Sequence, residues 1–341
     1  MSKKDKNALS ENIEIENTSN TPQEDGDVFV DKKKKKSKGK KPYPKTTFKH
    51  KMKVIGCLAL LGMFTGSGLG VWYFNTAIRS NVDYSMPVSE VIGNVDTTFS
   101  TIGIEKKKDW QEQAQASGKT PLDFSPVDNV LLAEYNHTLA DTYSVVGSGK
   151  VLSMGTTQTV YSEKLYDGER YSFVSISAGL ITVASCDVLN KNGSVDVYKG
   201  SNATSTGATW TYDQNYSASE FEAMNGVMPS APHPYIISDR TFEEASEVVL
   251  NSETGNYEFT LKLKTVESVL LYYKQVQRSG GLEANPEFYS IEIKFTINKD
   301  WQFVQTDIVE SYKAVKFGLP VGCDGTLTTV YKYDSEITLP V

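Results

Sequence analysis

Apolar and polar positions follow three different rules along these 341 residues. Residues 1–53 show no repeating apolar face. Asn, Glu, Asp, Ser and Lys dominate, and such a composition cannot offset the entropy lost on ordering, so a disordered tail is expected. Residues 54–74, VIGCLALLGMFTGSGLGVWYF, form an apolar run without a charge. About 20 apolar residues cross a bilayer core as a helix, so this run predicts a single transmembrane helix. From about residue 144 onward, short segments alternate apolar and polar side chains, the period of half-buried strands.

Between these regions, residues 75–124 read as a stalk with one short helix over 104–116, ended at Ser117-Gly118. A better helix opens at Ser125, which can cap it. Pro126 suits its first turn, Asp128 complements its positive end, and Val127, Val130, Leu131 and Tyr135 share a face. Strands are predicted at 144–152, 156–165, 169–177, 180–189, 194–199 and 207–212. Asp167-Gly168 and Asn192-Gly193 supply hairpin turns, and Gly147 and Gly149 mark a bulge or tight bend. Residues 213–243 are irregular, with a helical patch at 218–225. Strands resume at 245–250 and 256–264, where Tyr257, Phe259, Leu261 and Leu263 alternate with Glu258, Thr260, Lys262 and Lys264. A helix over 266–277 should end at Gly280-Gly281, followed by strands at 287–297, 301–315 and 324–335. The expected class is α+β, mostly β. Residues 125–341 would build a large curved antiparallel sheet, a half-barrel of about eleven strands, with a few packing helices.

Charge orients this arrangement. The formal net charge is −7, yet residues 1–53 hold 15 Lys against 8 acidic residues, while the rest holds 20 Lys and Arg against 34. Lys49, Lys51 and Lys53 abut the apolar run, and Trp72 and Tyr73 sit at its far end. That asymmetry places the tail in the cytoplasm and the β-rich domain outside the cell membrane. The basic zone and apolar run are both longer than in a cleaved signal peptide, so an uncleaved signal anchor is expected. Gly62, Gly66 and Gly70 fall on one helix face, which suits close helix packing and a homodimer through the membrane. An acidic outer domain is a poor partner for phosphate backbones, which disfavours nucleic acid.

Little chemistry emerges. His137 reads as a helix-surface residue and His233 lies between two prolines, with no carboxylate at metal-motif spacing. No Gly-x-Ser-x-Gly is present, and Gly-Ser-Gly-Lys at 147–150 lacks phosphate-loop spacing. No enzyme activity, metal or cofactor is expected. Cys186 and Cys323 follow the apolar run; outside the cell they would form a disulfide or remain two buried thiols. Aromatic residues are abundant, with 19 Tyr and 14 Phe. Tyr171, Phe173, Tyr257, Phe259, Leu261, Phe295 and Phe303 are candidates for a core or an apolar cavity. Segment 169–177 stands out because both its faces carry apolar residues.

The element order, together with Thr159-Val160-Tyr161-Ser162-Glu163-Lys164 and Asp167-Gly168-Glu169-Arg170-Tyr171, resembles the first hairpin and topology of the bacterial lipoprotein-carrier fold (LolA-type, including mycobacterial lipid-binding lipoproteins) over 125–341. That resemblance implies binding of a lipid or lipidated chain in a concave cavity. Such carriers are soluble or lipid-anchored, whereas a protein helix here implies holding or sensing rather than shuttling. A looser resemblance, to type II membrane subunits of conjugation and secretion machines, implies instead a structural subunit acting through protein contacts. The expectation is a non-enzymatic outer domain of a bacterial, Gram-positive-type membrane protein that binds a lipid-like envelope ligand.

Overall fold

A computed structural model of the chain describes residues 82–92, 109–153, 155–179, 182–316 and 318–341. The expected tail, Lys49, Lys51 and Lys53, the apolar run at 54–74 and its Gly62, Gly66 and Gly70 lie outside the described residues. Among the described residues, no helix is long and apolar enough to cross a membrane.

Helices α1 (Val88–Ile92), α2 (Trp110–Ala116) and α3 (Pro126–Thr138) come first. As its sequence dictates, α3 starts where the Ser125 hydroxyl accepts the Asp128 N–H at 3.1 Å. A meander follows, of β1 (Tyr143–Ser153), β2 (Thr156–Tyr166), β3 (Tyr171–Ala178), β4 (Val183–Leu189), β5 (Ser194–Ser201) and β6 (Thr209–Ser217). Then come α4 (Ala218–Asn225), β7 (Phe242–Ala245), β8 (Val249–Leu250), β9 (Tyr257–Leu263), α5 (Tyr272–Gly280), β10 (Glu287–Ile297), β11 (Phe303–Lys316) and β12 (Leu319–Tyr333). All twelve strands join one antiparallel sheet, ordered β6-β5-β4-β3-β2-β1-β12-β11-β10-β9-β7, with β8 also on β9. The first and last strands meet at its centre, Tyr143 opposite Tyr333 and Ser153 opposite Cys323.

Four local expectations change. The predicted strand at 245–250 divides into β7 and β8, because the register of β7 slips between Phe242 and Glu244 and Ser246 N–H bonds to Thr260 instead. The helix expected at 266–277 opens as a 3-10 turn at Glu267–Val269, and α5 proper begins at Tyr272. Buried Ser268 and Val269 are held by Ile236 N–H on the Ser268 carbonyl, and Gly226 (φ +76°) lets the Leu271 carbonyl come where a side chain would stand. Gly147 and Gly149 mark no bulge, since β1 keeps unbroken register with both neighbours. They permit close approach instead: a Cβ on Gly149 would lie 2.0 Å from the Thr326 carbonyl oxygen. Finally, the described parts of 75–124 pack into the main core rather than standing off as a stalk. Tyr84 stacks on Tyr273 at 4.3 Å, and Trp110 is fully buried edge-on to Trp301.

The sheet buries apolar side chains on both faces. On the inner one, Phe259, Phe295, Phe303 and Trp301 pack with Val130 and Leu132 of α3. On the outer one, Val174 and Ile176 of β3 join Cys186 and Val188 of β4. The two-faced apolarity read in segment 169–177 thus has a structural counterpart. Cys186 and Cys323 are free and buried, so the disulfide alternative is not realised. Three strands separate β4 from β12, and four spacings of about 4.8 Å far exceed the ~4.4–6.8 Å Cα reach of a bridge.

Candidate functional site

The central strands place alternate side chains in rows across the inner face. One row runs Phe173, Lys164, Val145, Tyr331. The next runs Ser175, Ser162, Gly147, Thr329, Thr306, and the third Ser177, Val160, Gly149, Leu327, Ile308. A fourth runs Gln158, Val151, Gly325, Glu310. Large residues thus border a floor of Ser, Thr and Gly. Between these rows and the elements above them, α5 and the Pro232-His233-Pro234-Tyr235 loop, lies a cavity of about 210 Å³. Tyr272, Gln275, Val276 and Ser279 of α5 form its roof.

Two ionisable side chains lie at opposite corners of this floor. Lys164, 8 % exposed, donates from Nζ to the Ala231 carbonyl at 2.6 Å and lies 5.4 Å from the Phe173 ring centre. Burial among Val145, Phe173 and the loop lowers its pKa to about 7. Glu310, 9 % exposed, accepts hydroxyl hydrogen bonds from Tyr235 (2.8 Å) and Tyr272 (3.1 Å). Burial raises its pKa, and the two hydroxyls partly offset that effect. In the flat-sheet limit three rows and three strand spacings separate the two, so they sit on the order of 20 Å apart.

The loop over the Lys164 corner carries His233, buried, with Nε2 2.8 Å from a Glu134 carboxylate oxygen on α3. His137, expected on the helix surface, is instead buried against Tyr143 at 4.0 Å, with Nδ1 3.0 Å from the Tyr333 hydroxyl. Burial, then the nearby Lys164 charge and His233, lower its pKa to about 3, so it stays neutral. Beside the cavity, α5 is held to the sheet by Arg278, whose Nη1 and Nη2 donate to Asp187 at 2.8 and 2.7 Å. Among the described residues, no group of three or more His, Cys, Asp or Glu is placed to hold a metal ion.

Of the seven apolar candidates, Phe173 lines the cavity. Phe259, Leu261, Phe295 and Phe303 are filled core at 2 % exposure or less, and Tyr257 is also core. Tyr171 is half-buried and stacked on Tyr166 at 4.2 Å. Sequence reasoning missed Lys164, Glu310, Tyr235 and Tyr272. The signal for the first two was alternation: Lys164 shares the phase of Val160 and Ser162, and Glu310 that of Ile308 and Thr306.

Lys164 gives a signed pH prediction. Its folded pKa lies below the ordinary 10.5, so the desolvation penalty is complete below about pH 7 and is relieved as pH rises towards 10.5. Lys164→Met should therefore raise the unfolding temperature most near pH ~6, with the gain shrinking by pH ~10. Thermal unfolding of both chains across this range tests it, and a gain independent of pH would contradict a buried ammonium.

No protein-family model matches the chain, and no curated protein sequence does. Among solved structures, a DUF1329 family protein from Desulfovibrio piger matches at 10 % identity with a TM-score of 0.24, over 63 % of this chain and 95 % of that one. A domain described as an outer membrane lipoprotein-sorting protein, from Vibrio parahaemolyticus, matches at 8 % identity and TM-score 0.24, over 61 % and 93 %. The chain thus bears a weak resemblance to the LolA type, too loose to carry an argument about function.

Proposed function

We propose that this protein is a membrane-tethered, non-enzymatic binding module that holds an apolar, lipid-like envelope ligand outside the cell. The observation that carries the reading is the cavity of about 210 Å³ between α5 and a floor of Ser, Thr and aliphatic side chains. Typical small-molecule pockets run about 300–1,000 Å³, so a single chain or small ring suits this one better than a lipid of several chains. The cavity favours this reading over an assembly subunit working through protein contacts alone. Tethering rests on residues 54–74 as a membrane anchor, with the basic tail inside. Since Tyr84 is fastened to the domain by its hydroxyl on the Pro286 carbonyl, only a short linker would separate bilayer and domain.

Native mass spectrometry of the full chain released from membranes tests the ligand. The expected result is one small apolar molecule per chain, lost in a Ser175→Phe variant that fills the floor. Absence of any retained molecule, together with no uptake of added lipid by the unaltered chain, would end the reading. The glycine face at Gly62, Gly66 and Gly70 is proposed as a self-association surface. Gly66→Leu should then weaken dimerisation of the span in a membrane reporter assay, and an unchanged signal would remove the idea.

A further inference from the structure

The cavity has a polarity that the proposed function leaves open. Its floor is small and neutral in the middle, and its cationic corner differs from its acidic one in how each is satisfied. At the Glu310 corner, two tyrosine hydroxyls occupy the carboxyl oxygens. At the Lys164 corner, the ammonium group has three N–H donors and one protein acceptor, the Ala231 carbonyl. Its other close neighbour is the face of Phe173, and the same row continues with Val145 and Tyr331. Among the described residues no carboxylate forms an ion pair with it; Glu134 is set against His233 and Asp187 against Arg278. Buried cations are ordinarily paired, so one that lines a cavity with donors to spare marks where an anion would be received. Ser162 and Ser175 stand in the adjacent row, where hydroxyls could share the same oxygens. From that corner the lining continues across the sheet with Val160, Leu327, Ile308 and Val151, an apolar path for a chain.

Resting on the proposed function, we propose that the ligand is a single-chain amphiphile with an acidic headgroup, the headgroup on Lys164 and the chain along Val160, Leu327 and Ile308. A long-chain carboxylate and a monoacyl phosphate share this chemistry. A neutral alcohol of equal chain length lacks it.

The test uses membranes containing the full chain and three photoactivatable, alkyne-tagged probes of matched chain length: a fatty acid, a monoacyl phosphate and a fatty alcohol. Labelled peptides are mapped by mass spectrometry. The acidic probes should label β1, β2, β3 and β12 on the order of tenfold more than the alcohol, the worth of one charge-assisted hydrogen bond. The ratio between the two acids then identifies the headgroup. Lys164→Met should reduce acid labelling to the level of the alcohol, while Lys164→Arg retains the preference and shows that the floor is intact. Equal labelling by alcohol and acid in the unaltered chain, or a preference that survives Lys164→Met, would overturn the headgroup assignment and leave the apolar cavity standing. Absence of floor labelling by every probe would instead overturn the proposed function itself.

Discussion

Replacing Trp301 with alanine is expected to lower the unfolding free energy by about 3–5 kcal/mol, the range for deleting a fully buried large aromatic side chain. Trp301 is fully buried on the turn between β10 and β11, at φ +51°, a conformation that L residues seldom adopt. It is held there by what surrounds it. Trp110 of α2 packs edge-on at 5.1 Å, Phe124 at 5.5 Å, and the indole N–H donates to Asn129 Oδ1 at 2.9 Å. Asn129 in turn donates to the carbonyls of Pro121 and Phe124, and Asn136 donates to the carbonyl of Asp300. One side chain therefore fastens α2, the Pro121–Asp123 turn and α3 to the sheet. Trp301→Phe should cost less than Trp301→Ala but still orphan Asn129. Chemical denaturation of the three chains checks the order, and a loss below about 1 kcal/mol for alanine would mean that α2 and α3 are not fastened there.

Breaking the Arg278–Asp187 pair should be comparably severe. Asp187 is 1 % exposed, and both its oxygens are taken by one guanidinium, which also donates to Asn225 Oδ1 at 3.0 Å. Arg278→Met would strand that carboxylate, at a cost of about 3–5 kcal/mol for an unpaired buried charge. Arg278→Met combined with Asp187→Leu should recover most of the loss, because two apolar side chains carry no desolvation penalty. Since α5 roofs the cavity, the single variant should also release bound ligand faster than the double one. Denaturation midpoints and ligand retention measured on both would decide it. Equal stability of the single and double variants would show that the pair is too wet to matter.

Much of the sheet was legible because its strands obey one local rule. Alternation at 257–263 and at 287–297, with Asp167-Gly168 and Asn192-Gly193 between runs, located strands to within a few residues. What failed was non-local. Nothing around Val266 announces that the Leu271 carbonyl must meet Gly226, so the start of α5 was misplaced. The docking of Tyr84 on Tyr273 joins residues far apart in the chain, which no window of sequence can reveal. The cavity was hidden for a different reason. Searching for large apolar residues found the filled core around Phe259, Phe295 and Phe303, whereas the cavity opens over small ones, Ser162, Ser175, Ser177 and Thr329. Hollow space is written as missing side chains, and the aromatic pattern points away from it.

The pairing of β1 with β12 has a consequence in time. Strands β1 to β6 pair with their sequence neighbours, and β9 to β12 do so among themselves. Among the described residues, the only strand pairing that joins the two sets is the seam from Tyr143–Tyr333 to Ser153–Cys323, across almost the whole length of the domain. Closing so long a loop is entropically slow, and such contacts form late. The seam runs through the cavity floor, with Gly147 beside Thr329 and Gly149 beside Leu327. The cavity is lined by strands of both sets, so a ligand would have nowhere to bind until the seam has closed. On the proposed function, loading would follow folding, and a bound ligand would slow the seam's reopening.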